Sequence, residues 1–409
     1  MKYVILGASA AGINAAREIR KLHKKGEITL VSKDEFLYSR CILHHYLAGK
    51  RELSRLNFAE KNFEQVYNIH WIKGKACKAV IPEVKKIILD DGEELSYDKL
   101  LIATGAKTSF PVIENLEKAK NVVGFRNVED VDCLKEAVKI RKKIMVLGAG
   151  LAGVDCVSGL LEAGATPILV ERESWMLISH LDERAANTYQ EAFSERGVKQ
   201  YYEVGITKVI LDENNNITAA ELSDGTIVEC DFLVIATGTK ANVDFLEGSG
   251  IEVNQFGLLY DDMGLTSEED VYGAGDVSGL NPIWPVAVKE GIVAASNMVG
   301  IEAEMMDFFA SKATMNFLGI PSMSLGMVNP PGHHYDIEIE EGPGSYKKII
   351  HRDGRIEGAL LQGDLSYCGI LQQLISLRID ISKVKKPIFD IDYSDFFRMD
   401  RNFEFYYED

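Results

Sequence analysis

Short apolar runs, each cut off by a glycine, alternate along this chain with stretches of helical period. Tyr3-Val-Ile-Leu6 leads into Gly7-Ala-Ser9-Ala10-Ala11-Gly12, residues 10–23 carry a helical pattern, and Ile28-Thr-Leu-Val31 is the next run. A run with no polar alternation is a strand buried on both faces, so this order predicts strand, tight turn, helix and parallel strand. Such a unit binds a mononucleotide. The turn lets the backbone approach a pyrophosphate, and the helix start offers free N–H groups and a partial positive charge. The GxGxxG pattern is broken, because Ser9 stands at the second glycine.

The same pattern returns at residues 144–171. Ile144–Leu147 predicts a strand, Gly148-Ala-Gly150-Leu151-Ala152-Gly153 is an intact GxGxxG, and residues 151–163 predict a helix closed by Gly164. Pro167–Glu171 predicts the following strand, ending in an acid 18 residues after the last glycine (171 − 153). A carboxylate there accepts hydrogen bonds from both ribose hydroxyls and repels a 2′-phosphate, which favours NADH over NADPH. Arg172 beside it weakens that preference. In the first unit the same strand end carries Ser32-Lys33-Asp34-Glu35.

A second pair of segments repeats in step. Asp91-Gly92 precedes an apolar strand and Ala103-Thr104-Gly105-x-Lys107, while Asp224-Gly225 precedes one with Ala236-Thr237-Gly238-x-Lys240. The turn glycine and the later glycine are 13 residues apart in both copies (105 − 92, 238 − 225). This is an internal duplication, two dinucleotide-binding domains with the second inserted into the first. The chain returns to the first at Val271-Tyr-Gly-Ala-Gly275-Asp276, which delivers Asp276 beyond a strand's carboxyl end, where α/β sheets place ligands. Trp284-Pro285-Val286 opens a helix running to about Val299, with proline near its first position. The expected architecture is α/β, with two Rossmann-like domains of three-layer ββα type and a small α+β domain. The expected boundaries are 1–112 with 246–310 for the first, 113–245 for the second and 311–409 for the third. The third is read from a hairpin around Asp353-Gly354, an apolar helix at 370–377 and an aromatic, acidic tail from 393. Ser39 and Gly49 are expected to cap a short helix between them.

Composition narrows the function. With 46% hydrophobic and 26% charged residues in 409, the chain is globular. A net charge of −17 disfavours nucleic acid and anionic membrane as partners. No apolar run is long enough to span a bilayer and no signal peptide is read, so a cytoplasmic location is expected. The six cysteines form no CxxC and no Cys/His cluster of zinc spacing, so no metal site is expected. Cys77, Cys133, Cys156, Cys230 and Cys368 are read as structural. Cys41, beside Arg40 at a helix start, is the exception: a lowered pKa there would make it a redox thiol, and otherwise it is a small residue filling a pocket.

Together the GASAAG, GAGLAG and VYGAGD segments and the two Ala-Thr-Gly segments resemble the FAD-dependent pyridine nucleotide–disulfide oxidoreductase superfamily. The resemblance covers residues 1 to about 300. It implies FAD in the first domain, held by Gly7, Ser9, Ala10, Ala11, Gly12, Ser32, Lys33, Arg40, Cys41, Cys77, Ala103, Thr104, Gly105, Gly275, Asp276, Pro285 and Val286. It implies NADH, less favourably NADPH, in the second, held by Gly148, Gly150, Leu151, Ala152, Gly153, Asp155, Glu171, Arg172, Ala236, Thr237 and Gly238. Asp276 would bind the ribityl chain, and the helix at Pro285 would point its positive end at the flavin. The absence of CxxxxC and CxxC excludes glutathione-reductase-type and thioredoxin-reductase-type chemistry. Tyr38-Ser-Arg40-Cys41 resembles both single-cysteine NADH oxidases, peroxidases and coenzyme A-disulfide reductases and the flavin segment of NADH:rubredoxin reductases and nitrite reductase large subunits. Lys348-Ile-Ile-His-Arg-Asp-Gly-Arg-Ile-Glu-Gly-Ala-Leu-Leu-Gln-Gly363-Asp364 is similar to the C-terminal domain of the latter group. Electron transfer to a small redox protein such as rubredoxin, or to a partner subunit, is therefore expected, in a monomer or homodimer. The alternatives are a Cys41-dependent reductase and a non-autonomous flavin subunit of a complex. His44 and His45 are read as a helix surface and a satisfied core histidine rather than a proton relay, Lys50-Arg51 as a solvated helix end, and Trp284 as a packing residue.

Overall fold

Burial on both faces makes each apolar run the centre of a sheet. The computed structural model describes residues 1–140, 143–280, 282–306 and 312–407. Its first parallel sheet orders strands Val271–Gly273, Lys99–Ile102, Lys2–Leu6, Glu27–Ser32 and Ile69–Lys73. Leu6 lies opposite Val31 on one side and Ile102 on the other. The second orders Lys199–Tyr201, Thr166–Val170, Lys143–Leu147, Phe232–Ile235 and Val122–Gly124. Its Lys143–Leu147 strand is central in the same way.

The helices are α1 (Ala10–Leu22), α2 (Leu43–Leu47), α3 (Phe63–Tyr67), α4 (Val128–Ile140), α5 (Leu151–Glu162), α6 (Glu183–Glu195), α7 (Trp284–Met298) and α8 (Cys368–Ser376). The period-2 alternation of a strand sorts its side chains into two layers. Tyr3, Ile5 and Leu101 pack with Ile13 and Ala16 of α1 and Ala294 and Ala295 of α7. Val4, Leu6, Leu100 and Ile102 pack instead with Val80, Ile87 and Leu89, from an antiparallel sheet of strands Cys77–Ile81, Lys86–Leu89 and Glu94–Ser96. The second repeat has a matching antiparallel sheet, Ile206–Leu211, Ile217–Leu222 and Ile227–Glu229. Helices, parallel sheet and antiparallel sheet are the three layers expected of a ββα fold.

The third unit is α+β. Strands Lys312–Phe317, Ile320–Gly326, Arg355–Gln362, Ser345–Arg352 and Asp336–Gly342 form one antiparallel sheet, and Leu371 and Leu374 of α8 pack on it with Leu325, Ile349 and Leu361. Its attachment to α6 is polar as well as apolar. Asp182 caps α6 by accepting from Ala185 N, and its other oxygen accepts from Tyr346 Oη at 2.7 Å and Lys348 Nζ at 2.9 Å. Tyr189 Oη donates to the Ile320 carbonyl at 2.6 Å. The boundary expected at 310/311 lies outside the described residues.

One local expectation fails. Residues 40–47 do not form a single helix: Arg40–Ile42 is a 3₁₀ turn, and α2 begins only at Leu43. The Ser39 side chain does not cap it, because its hydroxyl is turned to the Cys41 thiol.

Candidate active site

Two glycine cradles define the site. Gly7 and Gly148 have φ of +112° and +105°, a conformation that favours glycine, and a Cβ on Gly7 would lie 2.1 Å from the Ala103 carbonyl oxygen. At Gly12 and Gly153 a Cβ would meet the carbonyl oxygen of Gly7 or Gly148 at 1.9 Å, so each helix starts directly off its turn. At Gly150 a Cβ would meet nothing within 4 Å. The equivalent of Gly150 in the first cradle is Ser9, and the open space explains why serine is accommodated there.

Both cradles fit a dinucleotide. The first hydrogen bonds of α1 and α5 run from Ile13 N to Ser9 O and from Val154 N to Gly150 O, and no side chain caps either helix. The N–H groups of Ala10, Ala11 and Gly12, and of Leu151, Ala152 and Gly153, are thus free of helical partners at the positive end of a helix.

Around the first cradle, Arg40 donates to Asp34 at 2.9 Å and to Ser9 Oγ at 3.4 Å, and stacks over the Tyr38 ring at 4.6 Å. Ser32 is buried with its hydroxyl engaged: it donates to the Asp34 carbonyl at 2.6 Å and accepts from Trp71 Nε1 at 2.9 Å. Lys33 is exposed beside it. Cys77 lies in the antiparallel sheet, where burial pushes its thiol up to about 12. Gly275 and Asp276 follow the Val271–Gly273 strand, and Pro285 and Val286 stand in the first turn of α7. Trp284 packs edge-on against Phe58, with ring centroids 4.8 Å apart.

At the second cradle, the Glu171 carboxylate accepts from Ala149 N at 2.5 Å, Arg172 N at 2.7 Å and Glu173 N at 3.1 Å. This fixes an acceptor at the strand end beside the glycine turn, while the Arg172 side chain runs along Gly205. The two Ala-Thr-Gly segments meet each other. Ala106–Thr108 pairs antiparallel with Thr239–Ala241, Thr104 Oγ donates to the Asn242 carbonyl at 2.8 Å, and Asn242 Nδ2 donates back to the Thr104 carbonyl at 2.9 Å. The duplicated segments are therefore the clasp between the two domains.

Cys41 corrects an expectation. The residue is exposed, yet desolvation by the protein around it pushes the thiol above its ordinary range rather than below it. Asp155 and Asp276 add to the rise, while Ser39 and Arg126 offset part of it. Arg40 does not activate it, because Asp34 already holds that charge.

Arg126, Glu290 and Tyr260 escape a linear reading. Arg126 donates to Asp276 Oδ2 at 2.6 Å and to the Ala106 carbonyl at 2.6 Å. Glu290 of α7 accepts from Gly275 N at 2.7 Å and Tyr260 Oη at 3.0 Å, which steadies the turn before Asp276. His44 corrects its reading as a satisfied core histidine: its Nδ1 makes no well-aligned hydrogen bond and faces Asp155 at 3.3 Å. Lys50 pairs with Glu162 at 2.6 Å. Among the described residues no cluster of three or more His, Cys, Asp or Glu is arranged to hold a metal ion, and no helix is long and apolar enough to cross a membrane.

A family model described as pyridine nucleotide-disulphide oxidoreductase matches residues 1–291. The chain belongs to this family. A second model, the rubredoxin NAD+ reductase C-terminal domain, matches residues 312–379. The chain is 31% identical over 398 residues to the NADH-dependent phenylglyoxylate dehydrogenase subunit epsilon of Aromatoleum evansii, covering 94% of this chain and 93% of that one. It is 28% identical to the assimilatory nitrate reductase electron transfer subunit of Bacillus subtilis, covering 95% of this chain but 51% of the relative. Among solved structures, a NAD-dependent persulfide reductase from A. fulgidus superposes with a TM-score of 0.85 at 24% identity, covering 93% of this chain and 77% of that one. The NADH:rubredoxin oxidoreductase of Clostridium acetobutylicum superposes with a TM-score of 0.75 at 23% identity, covering 94% and 97%. The protein is thus an NAD(P)H-dependent flavoprotein oxidoreductase of an electron-transfer family.

Proposed function

We propose that the chain accepts electrons from NADH and delivers them through FAD to a small one-electron carrier such as rubredoxin, or to a partner subunit. Bound FAD supplies hydride acceptance and one-electron release. The residues proposed to hold FAD are those of the first cradle with Arg40, Thr104, Gly275, Asp276 and the first turn of α7. Those proposed for the nicotinamide cofactor are the second cradle with Glu171 and the Ala236–Gly238 segment. The observation that carries the reading is the Thr104–Asn242 clasp with its paired strands, which brings both cradles to one junction. Holding two reactants in register is the protein's main contribution in such a reaction. The preference for NADH rests on the Glu171 carboxylate at the strand end.

The Cys41 thiol is shifted up rather than down, which supports this reading over one in which the thiol is the acceptor. The reconstituted protein should lose its yellow colour on mixing with NADH and regain it with a rubredoxin-type acceptor. Cys41→Ser should keep that turnover. Loss of turnover in Cys41→Ser, with FAD still bound, would move the function to thiol chemistry.

Service as a subunit is a second reading. It is favoured by the relatives named as subunits that match nearly all of this chain. Co-purification of a stoichiometric partner, with weak activity of the isolated chain, is its test.

A further inference from the structure

Helices α2 and α5 come from different domains and meet where Gly159 leaves no room: a Cβ there would lie 3.0 Å from the His44 carbonyl oxygen. One turn earlier on α5 is Asp155. His44 Nδ1 faces its Oδ1 at 3.3 Å, with the two side chains 18% and 25% exposed. That nitrogen has no well-aligned hydrogen bond. The His45 ring stands 4.1 Å from the His44 ring, and Lys50 and Arg51 follow at the solvent end. Cys41, one turn before His44, is electrostatically coupled to Asp155 and is exposed.

The proposed reaction leaves one chemical demand unmet. Oxidation of one NADH by two one-electron carriers gives NAD+, two reduced carriers and one proton. That proton has to leave a junction where His44 and Asp155 are only partly exposed. We propose that Asp155 and His44 share a single proton and act as the acid–base pair of this junction: Asp155 as a carboxylate takes the proton left when the electrons depart, and His44 with His45 passes it to the solvent end of α2. The inference rests on the one-electron reading above. In the transfer an O–H bond would form on Asp155 as the N–H bond of the reduced flavin breaks, the flavin's electrons leaving to the two carriers, and that O–H bond would then break as an N–H bond forms on His44 Nδ1.

Burial shifts the two groups in opposite directions. Burial pushes the Asp155 carboxyl up to about 8. Burial, reinforced by His45, Lys50 and Arg51, holds His44 down at about 4. At neutral pH the pair carries one proton and no net charge. A group that titrates near the working pH serves both as acceptor and as donor. Cys41 on the 3₁₀ turn and Cys156 on α5 interact with Asp155, Glu162 on α5 with His45, and Asp276 and Arg126 with Cys41, while α4 brings Asp132 and Lys135 against Tyr46 of α2.

The test uses the FAD-loaded protein with NADH and ferricyanide as the one-electron probe, from about pH 6 to about pH 9.5. Turnover should rise with pH to a plateau above about 8, as the Asp155 carboxylate forms. Asp155→Asn should flatten the profile and lower the plateau about tenfold or more. His44→Gln should move the midpoint down, because an amide donates to the carboxylate. Infrared difference spectra should show the C=O band of a protonated carboxylic acid at the acid end that is gone at the alkaline end and absent from Asp155→Asn. A flat wild-type profile, or no such band assignable to Asp155, would overturn the proposal. If NADH fails to reduce ferricyanide at all, the functional reading falls instead, and the infrared band alone decides whether the pair holds its proton.

Discussion

Ser9 looks like a defect in the sequence and is not one in the structure. Its counterpart Gly150 borders open space, whereas a Cβ at Gly153 would overlap the Gly148 carbonyl oxygen. Gly150→Ser should therefore change the unfolding free energy by no more than about 0.5 kcal/mol, the range of surface changes, and leave the melting temperature nearly unchanged. Gly153→Ala should abolish NADH binding or folding, read by cofactor titration alongside circular dichroism. Glu171 carries the cofactor preference through its charge: Glu171→Arg should lower kcat/KM for NADH and raise it for NADPH, each by about tenfold, or about 1.4 kcal/mol. Cys41 teaches the opposite lesson. Its neighbour Arg40 promised activation, but that guanidinium is bound to Asp34, and the thiol is left to desolvation.

Helices α2, α5 and α6 do more than cover sheets. The Asp155 carboxyl is raised from 3.8 to about 8, so the folded state keeps a proton that the unfolded chain gives up. Stability from this group is present at low pH and falls as pH rises from about 4 to about 8, by at most about 1.4 kcal/mol per unit. His44 acts in the other direction: held down at about 4, its contribution is present above 6.5 and is lost as pH falls toward about 4. Urea midpoints of Asp155→Asn should fall less steeply between pH 5 and about 8 than those of the wild type. On α6, Asp182 is both the cap and the anion of a buried pair with Lys348, the side chains 12% and 9% exposed. Asp182→Ala strands the lysine and should cost about 3–5 kcal/mol, seen as a lower urea midpoint.

Across the whole molecule, contacts between the repeats complete the site. Arg126 belongs in sequence to the second repeat's approach, yet it grips Asp276 across a separation of 150 residues. Arg126→Ala leaves Asp276 with a partly buried charge and no guanidinium, and FAD retention should weaken by about tenfold, measured as the fluorescence of flavin released on dilution. A single continuous core also runs from Leu43 and Leu47 of α2 through Val154 and Leu160 of α5 and Tyr189 of α6 to Met315 and Phe317 of the third sheet. The third unit is thereby joined to the second repeat.

The sequence by itself determined the parts that depend on neighbours along the chain. The strand–turn–helix units, the duplication and the acid at Glu171 follow from periodicity and spacing, because a glycine turn and the helix leaving it are built from a dozen consecutive residues. The α+β character of the third unit was legible for the same reason, from a hairpin and one apolar helix. Tertiary structure alone decided which charges are spent and which are free. Arg40 is spent on Asp34 and Arg126 on Asp276, while His44 and Asp155 are left facing one another, each partly exposed. Protonation depends on burial and on partners brought from distant segments, and neither is a property of a residue's position in the chain.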